Sequence, residues 1–139
     1  MKDKLFYVGQ KAIINKKGKI LILRDSVLKT IDLPGGKIQE GEYSFIEALK
    51  REVFEETKFK IKIEKPSSIG FFKVPSNSEH RSAGKEIFII FYQCKYLAGK
   101  LRLSDEHDWH KWVDKNNFAK YFKQKTNIYQ ALTTYFQSK

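Results

Sequence analysis

The chain has 139 residues and carries 27 Lys plus Arg against 16 Asp plus Glu, a formal charge of +11. That length suits one compact domain, expected to span 1–139, and is too short for two ordinary ones; with 41% hydrophobic and 14% aromatic residues, a disordered basic tail is excluded. The longest apolar stretch, Ile87 to Tyr92, is six residues, so no transmembrane helix fits.

The start, Met1-Lys2-Asp3-Lys4, runs into a short alternating segment without the apolar core of a signal peptide. Cys94 is the only cysteine, which excludes an intrachain disulfide and a thiol-ligated metal site. A reducing cytoplasm is the expected compartment. From Lys11 to Arg24, Ala12-Ile13-Ile14 and Ile20-Leu21-Ile22-Leu23 flank Asn15-Lys16-Lys17-Gly18, which predicts a β-hairpin with Gly18 at positive φ. Leu33-Pro34-Gly35-Gly36 is a breaker cluster where the chain must turn. Ser44 with Glu47 forms a capping box, and Phe45, Ala48, Leu49 and Val53 recur behind it at helical spacing, predicting a helix over about 45 to 57. Ile61 and Ile63 alternate with lysines, Ile69 to Val74 is apolar, and Glu86 to Leu97 suits a central strand. Pro75 to Lys85, polar and containing a glycine, reads as a loop. Leu101 with Leu103, and Trp109 to Val113, read as short strands. Asn116 or Asn117 is placed to cap Phe118 to Phe122, and Ile128, Leu132, Tyr135 and Phe136 make an apolar stripe on a final helix after Thr126. These elements predict one layered α/β domain.

The basic charge invites a nucleic-acid reading. Against it, arginine stands only at 24, 51, 81 and 102, and the lysines run from Lys2 to Lys139 rather than in one stripe, as on a merely solvated surface. The acids are more informative. Residues 40 to 56 hold six Glu against Lys50 and Arg51, a local charge of −4, and 104 to 108 add Asp105, Glu106 and Asp108 for −3, leaving +18 elsewhere.

Glu52, Glu55 and Glu56 are related by i, i+3 and i+4. With Phe45 taken as the centre of the apolar face, Glu52 and Glu56 point within about 20° of it. Inward carboxylates cost several kcal/mol each unless compensated, and no Lys or Arg of the helix lies in that sector. A divalent cation solves this, and oxygen ligands with no Cys or His nearby favour Mg²⁺ or Mn²⁺. The alternative is a surface helix laced with ion pairs, of which Glu47 and Arg51 would supply one on the outward face.

The stretch from Gly36 to Phe59, GKIQEGEYSFIEALKREVFEETKF, resembles the signature of the Nudix hydrolase family. Gly36, Glu42, Arg51, Glu52, Val53, Glu55, Glu56 and Phe59 fall on the pattern, with Leu33-Pro34-Gly35-Gly36 as lead-in. It departs twice. Eight residues rather than seven separate Glu42 from Arg51, an extra residue placed within Tyr43 to Ile46, and Lys58 stands where the family has Gly, so the helix is expected to end by a route other than a glycine cap. The resemblance implies an α/β/α sandwich with a mixed sheet and metal-dependent hydrolysis of a diphosphate linkage in a nucleoside diphosphate joined to another group. It implies Glu52, Glu55 and Glu56 as metal ligands, with Arg51 orienting them. Ser104-Asp105-Glu106-His107 is similar to a loop segment of many family members that reaches the metal as a further ligand or base, which assigns that role to Glu106; His107 is expected to be structural or solvent-facing.

Candidate substrate contacts are Gly36, Arg81 and Lys85, with His80 beside them and Arg81 favoured for its planar fork. Tyr7, Phe72 and Trp109 are candidates for stacking on a base. The Glu106-His107 pattern leans toward nucleoside triphosphates or dinucleoside polyphosphates, and Pro75 toward ADP-ribose or a related nucleotide sugar. An RNA 5′-end pyrophosphohydrolase and a Nudix-fold nucleotide sensor without turnover complete the alternatives. The expected partner is a small nucleotide, with RNA less favoured and no membrane.

Overall fold

The hairpin forms where its turn residues dictate. In the computed structural model, which describes residues 1–78 and 83–139, Lys17 and Gly18 both take positive φ (54° and 84°), and Asn15 Oδ1 accepts the Gly18 N–H at 3.0 Å. That turn joins β1 (Tyr7–Lys16) to β2 (Lys19–Asp25). There follow β3 (Ile31–Asp32), β4 (Gly35–Lys37), α1 (Phe45–Thr57), β5 (Lys60–Lys73), β6 (Glu86–Ala98), β7 (His107–Val113), a 3₁₀ turn at Phe118–Lys120 and α2 (Asn127–Gln137).

The sheet is mixed and forked. β1 runs parallel to β6 from Tyr7 to Asn15, and β6 is antiparallel to the edge strand β5. On its other side β1 pairs with β2 only at Asn15 and Lys16, while Gly9 to Lys11 pair instead with β4. β2 is then free to pair with β7 along Ile20 to Asp25 and with β3 at Leu23 and Arg24. Alternation along the strands sends side chains to two faces. Ile13, Ile22, Ile89 and Phe91 pack with Ala131, Leu132 and Tyr135 of α2. Ala12, Ile14, Leu21 and Leu23 pack with Leu49 and Val53 of α1. Each fully buried Leu or Ile contributes about 1.5–3 kcal/mol. The helices thus cover opposite faces of the sheet, an α/β/α sandwich.

Several local expectations need correction. Ile61 to Ile63 and Ile69 to Lys73 belong to one 14-residue strand, β5, which ends just before Val74, because its register shifts, one of them beside Pro66, absorb the irregular middle of the sequence. Leu101 and Leu103 form no strand; they pack against the α1-side cluster from a loop whose Arg102 N–H donates to Thr57 O. Neither Asn116 nor Asn117 caps a helix: Asn117 Oδ1 accepts the Asp114 N–H instead, and the turn that follows is only three residues long. Thr126 does cap α2, accepting the Tyr129 N–H at 3.2 Å.

α1 starts and stops where predicted, with Ser44 Oγ accepting the Glu47 N–H. Its buried face is centred on Leu49 and Val53 rather than Phe45, which is 46% exposed, its neighbour Ile46 also being exposed. Glu47 pairs with Lys50, not Arg51. The helix also ends as a glycine-capped one would: Lys58 itself adopts φ 67°, ψ 13° and donates its N–H to Phe54 O. A Cβ-bearing residue in this region costs about 1–2 kcal/mol. Lys58→Gly is therefore expected to stabilise the protein by about 0.5–1 kcal/mol, after loss of the Lys58 ammonium over the Phe54 ring and the greater freedom of glycine in the unfolded chain. Chemical denaturation with an unchanged slope checks it; a destabilised variant would refute the strain at this cap.

Candidate active site

The fork in the sheet builds the site. In β1 the one charged side chain ahead of the apolar run Ala12 to Ile14 is Lys11, on the same face as Ile13. Its ammonium donates to Asp32 Oδ2 at 2.9 Å and lies 3.4 Å from Leu33 O. β4 approaches β1 so closely that a Cβ on Gly35, which has φ +145°, would lie 2.0 Å from Gln10 O. The Gly35 N–H is thereby aimed at Glu56 Oε1, 2.7 Å away. Gly36 leaves room for Glu52, whose carboxylate carbon would be 2.6 Å from a Cβ there.

Arg51 binds three carboxylates at once. Its Nε and Nη2 donate to Glu42 at 2.8 and 3.0 Å, Nη2 also to Glu52 Oε1 at 3.0 Å, and Nη1 to Glu55 at 2.9 Å. The irregular spacing before the helix does not disturb Glu42, because the chain spends its extra length on an outward residue: Tyr43 is 92% exposed. The Arg51 hydrogen bonds, with one from the Gln39 N–H, hold the Glu42 carboxyl below its ordinary range.

From β7 and the loop before it come Glu106 and His107. Hydrogen bonds from Ser26 to the carbonyls of Asp105 and Glu106 fix that loop against the end of β2. One ligand atom from each of Glu56, Glu106 and His107 falls within 4.8 Å of the others. His107 is half-buried with its side chain turned in, its Nδ1 lies 3.9 Å from Glu56 Oε2, and that nitrogen has no hydrogen-bond partner among the described residues. Two carboxylates and an orphaned imidazole nitrogen fit a divalent cation, so this group could hold one. The expectation that no histidine lies nearby is corrected; of the two expected settings for His107, structural or solvent-facing, the second does not hold, its side chain being 8% exposed.

The electrostatics agree. Burial pushes the Glu56 carboxyl up to about 8, against the lowering influence of Lys11 and of the Gly35 N–H. Burial likewise raises Glu52 and lowers His107 from its ordinary value. Burial opposes the Lys11 charge, yet Asp32, Glu56 and Glu52 outweigh it and raise the ammonium above its usual value. Lys11 is the compensating cation that a reading of α1 alone could not supply; its signal was a lysine on the inward register of a buried strand.

These groups line a cleft of about 550 Å³. Gly36, Glu52, Glu56 and Glu106 face it together, as do Lys11, Asp32 and His107, and it is also lined by Phe72, Ile87 and Ile128 and by Lys125 and Thr126 at the start of α2. Glu55 is held outward by Arg51 and does not line the cleft. Lys85 also lies outside it, with its ammonium 4.8 Å from the Tyr7 ring. Of the stacking candidates only Phe72 lines the cleft; Trp109 packs against the α2-side core. Arg81 and His80 lie outside the described residues.

Known proteins agree with this architecture. The chain superposes on a NUDIX hydrolase from Nitrosomonas europaea with TM-score 0.77 at 21% identity, covering 97% of this chain and 91% of that one. A MutT protein from Methanosarcina mazei gives TM-score 0.76 at 26% identity over 99% and 97%, and a C. elegans Ap4A hydrolase 0.76 at 19% over 95% and 96%. A search of the curated proteins finds no match. Among the described residues no helix is long and apolar enough to cross a membrane. The family model described as NUDIX domain matches residues 10–133, from the buried Gln10 of β1 into α2, and the chain therefore belongs to the NUDIX family, as a pyrophosphohydrolase.

Proposed function

We propose that this protein hydrolyses the diphosphate linkage of a free nucleoside triphosphate or dinucleoside polyphosphate in the cytoplasm, with Mg²⁺ as its ion and Mn²⁺ as a substitute. The observation that supports this most is the convergence of Glu56, Glu106 and His107 beside Lys11 in a cleft that Phe72, Ile87 and Ile128 also line. Such a cleft matches a molecule with a polyphosphate at one end and a flat base at the other.

Glu52, Glu56 and Glu106 would hold the cation, with Glu55 joining them only by giving up its bonds from Arg51. When bound, the cation offsets charge on the bridging phosphate oxygens and acidifies water. Arg51 keeps Glu42 and Glu52 in place before substrate arrives. The Lys11 ammonium attracts the phosphates, and Phe72 offers a face to the base. Glu56 is the base: Oε1 is tied to the Gly35 N–H, leaving Oε2 to take the proton from the attacking water. Lys11 and Lys125 both line the cleft and favour a phosphate-rich substrate over one ending in a neutral sugar.

The test is phosphate or pyrophosphate release, with Mg²⁺, across nucleoside triphosphates, dinucleoside polyphosphates and ADP-ribose. Turnover is expected for the first two classes to exceed that for ADP-ribose. Hydrolysis of ADP-ribose alone would overturn the substrate assignment, and no hydrolysis of any compound would leave a nucleotide sensor.

A further inference from the structure

The lysines that are spread along the sequence are collected by the fold at the end of β1 remote from the cleft. Segments 16–19, 58–63 and 95–102 hold nine Lys or Arg and no Asp or Glu. Strand register joins them: Lys16 pairs with Lys19, Ile61 with Tyr96 and Lys60 with Ala98, and a Cβ on Gly99 would lie 2.5 Å from Lys58 O. The evenly solvated basic surface expected from the linear sequence is thus corrected. Among the described residues, none of Lys16, Lys17, Lys19, Lys60, Lys100 and Arg102 is paired with a carboxylate.

Within this cluster lies an open groove of about 680 Å³, lined by Lys16, Phe59, Tyr96, Lys100, His110 and Trp112. Phe59 is buried in the α1-side core and anchors the two half-buried rings, with centroids 4.9 Å from Tyr96 and 6.0 Å from Trp112. The Lys16 ammonium stands 4.3 Å from the Tyr96 ring centre and 5.8 Å from that of Trp112, so the groove already seats a cation over aromatic faces.

We infer that this groove binds single-stranded nucleic acid, with bases stacked on the separate faces of Tyr96 and Trp112 and the flanking phosphates on the surrounding lysines. Unpaired cations gathered this densely repel one another, and a polyanion relieves them. The aromatic faces select a strand whose bases are unpaired, since a duplex hides them. An anionic membrane would call for rings that protrude, whereas these are recessed. Lys16 lies five residues beyond Lys11, about 17 Å along β1, so this site is separate from the cleft and stands whether or not the substrate assignment does.

The probe is a labelled twelve-nucleotide oligouridylate with a 5′-hydroxyl, which offers the cleft no phosphoanhydride. Its affinity should fall steeply with salt. The double charge reversal Lys16→Glu with Lys100→Glu should weaken it at least about tenfold, while nucleotide hydrolysis is retained. Lys2→Glu with Lys73→Glu makes the same change of net charge away from the groove and should weaken it less than about threefold. Inorganic polyphosphate should bind at least about tenfold more weakly than the oligomer, lacking bases to stack. Equal losses in the two double variants, polyphosphate bound as tightly as RNA, or phosphatidylserine vesicles bound where the oligomer is not, would each overturn the inference.

Discussion

Glu56→Gln is expected to lower kcat at least about 10²-fold while the protein stays folded, the scale of losing both a cation ligand and the proton acceptor of the attacking water. The amide keeps the shape of the side chain, and its oxygen can still accept the Gly35 N–H that now meets Oε1 at 2.7 Å. What disappears is the negative charge facing His107 and Lys11. Phosphate release at saturating substrate measures the effect; unchanged turnover would mean that the cation and base sit elsewhere. The same variant has a signature independent of activity. In the metal-free protein the folded carboxyl titrates near 8, against 4.5 for its ordinary value. Between those values the folded state keeps a proton that the unfolded state has released, so stability is full below 4.5 and declines as pH rises through 8. Glu56→Gln should abolish that decline, and added Mg²⁺ should offset it in the wild type. Thermal unfolding in chelator across this range reads both.

Gly35→Ala is expected to destabilise by about 3 kcal/mol or more, because two costs fall on one methyl group. The residue has φ +145°, where side chains are strained, and the added carbon would overlap Gln10 O at 2.0 Å and Lys11 Cα at 2.9 Å. These are backbone atoms of the strand that carries the site and cannot swing aside. Relief means parting β4 from β1, which also withdraws the N–H from Glu56. Denaturant unfolding gives the loss of stability, and a variant within 1 kcal/mol of wild type would show that the two strands can separate freely. The neighbouring glycine differs in kind, since a methyl at Gly36 meets the end of the flexible Glu52 side chain rather than backbone.

Much of this was legible in the sequence because the signals were local. The Lys17-Gly18 turn, the Ser44 and Thr126 caps and the apolar spacing of α1 each lie within a few residues of the structure they specify. The α1 carboxylates were legible for the same reason, and the signature around them placed Glu52 and Glu56 facing the cleft. What escaped were partnerships across the sheet. Lys11 meets Asp32 and Glu56 from 21 and 45 positions away, through a fork that no single segment encodes. His107 was set aside because its burial depends on the packing of the loop against β2. The basic groove escaped most fully, being assembled from three segments that are each unremarkable on a surface.

The fork also bears on how the site moves. Ala12 N–H donates to Pro34 O at 2.8 Å and Gly35 N–H to Glu56, bonds that tie β1, β4 and α1 together between the two hydrophobic clusters. Neither amide can open without prying the clusters apart. Their deuterium uptake should therefore follow the slowest, whole-molecule opening rather than local fraying, which makes the reactive centre one of the least mobile parts of the protein.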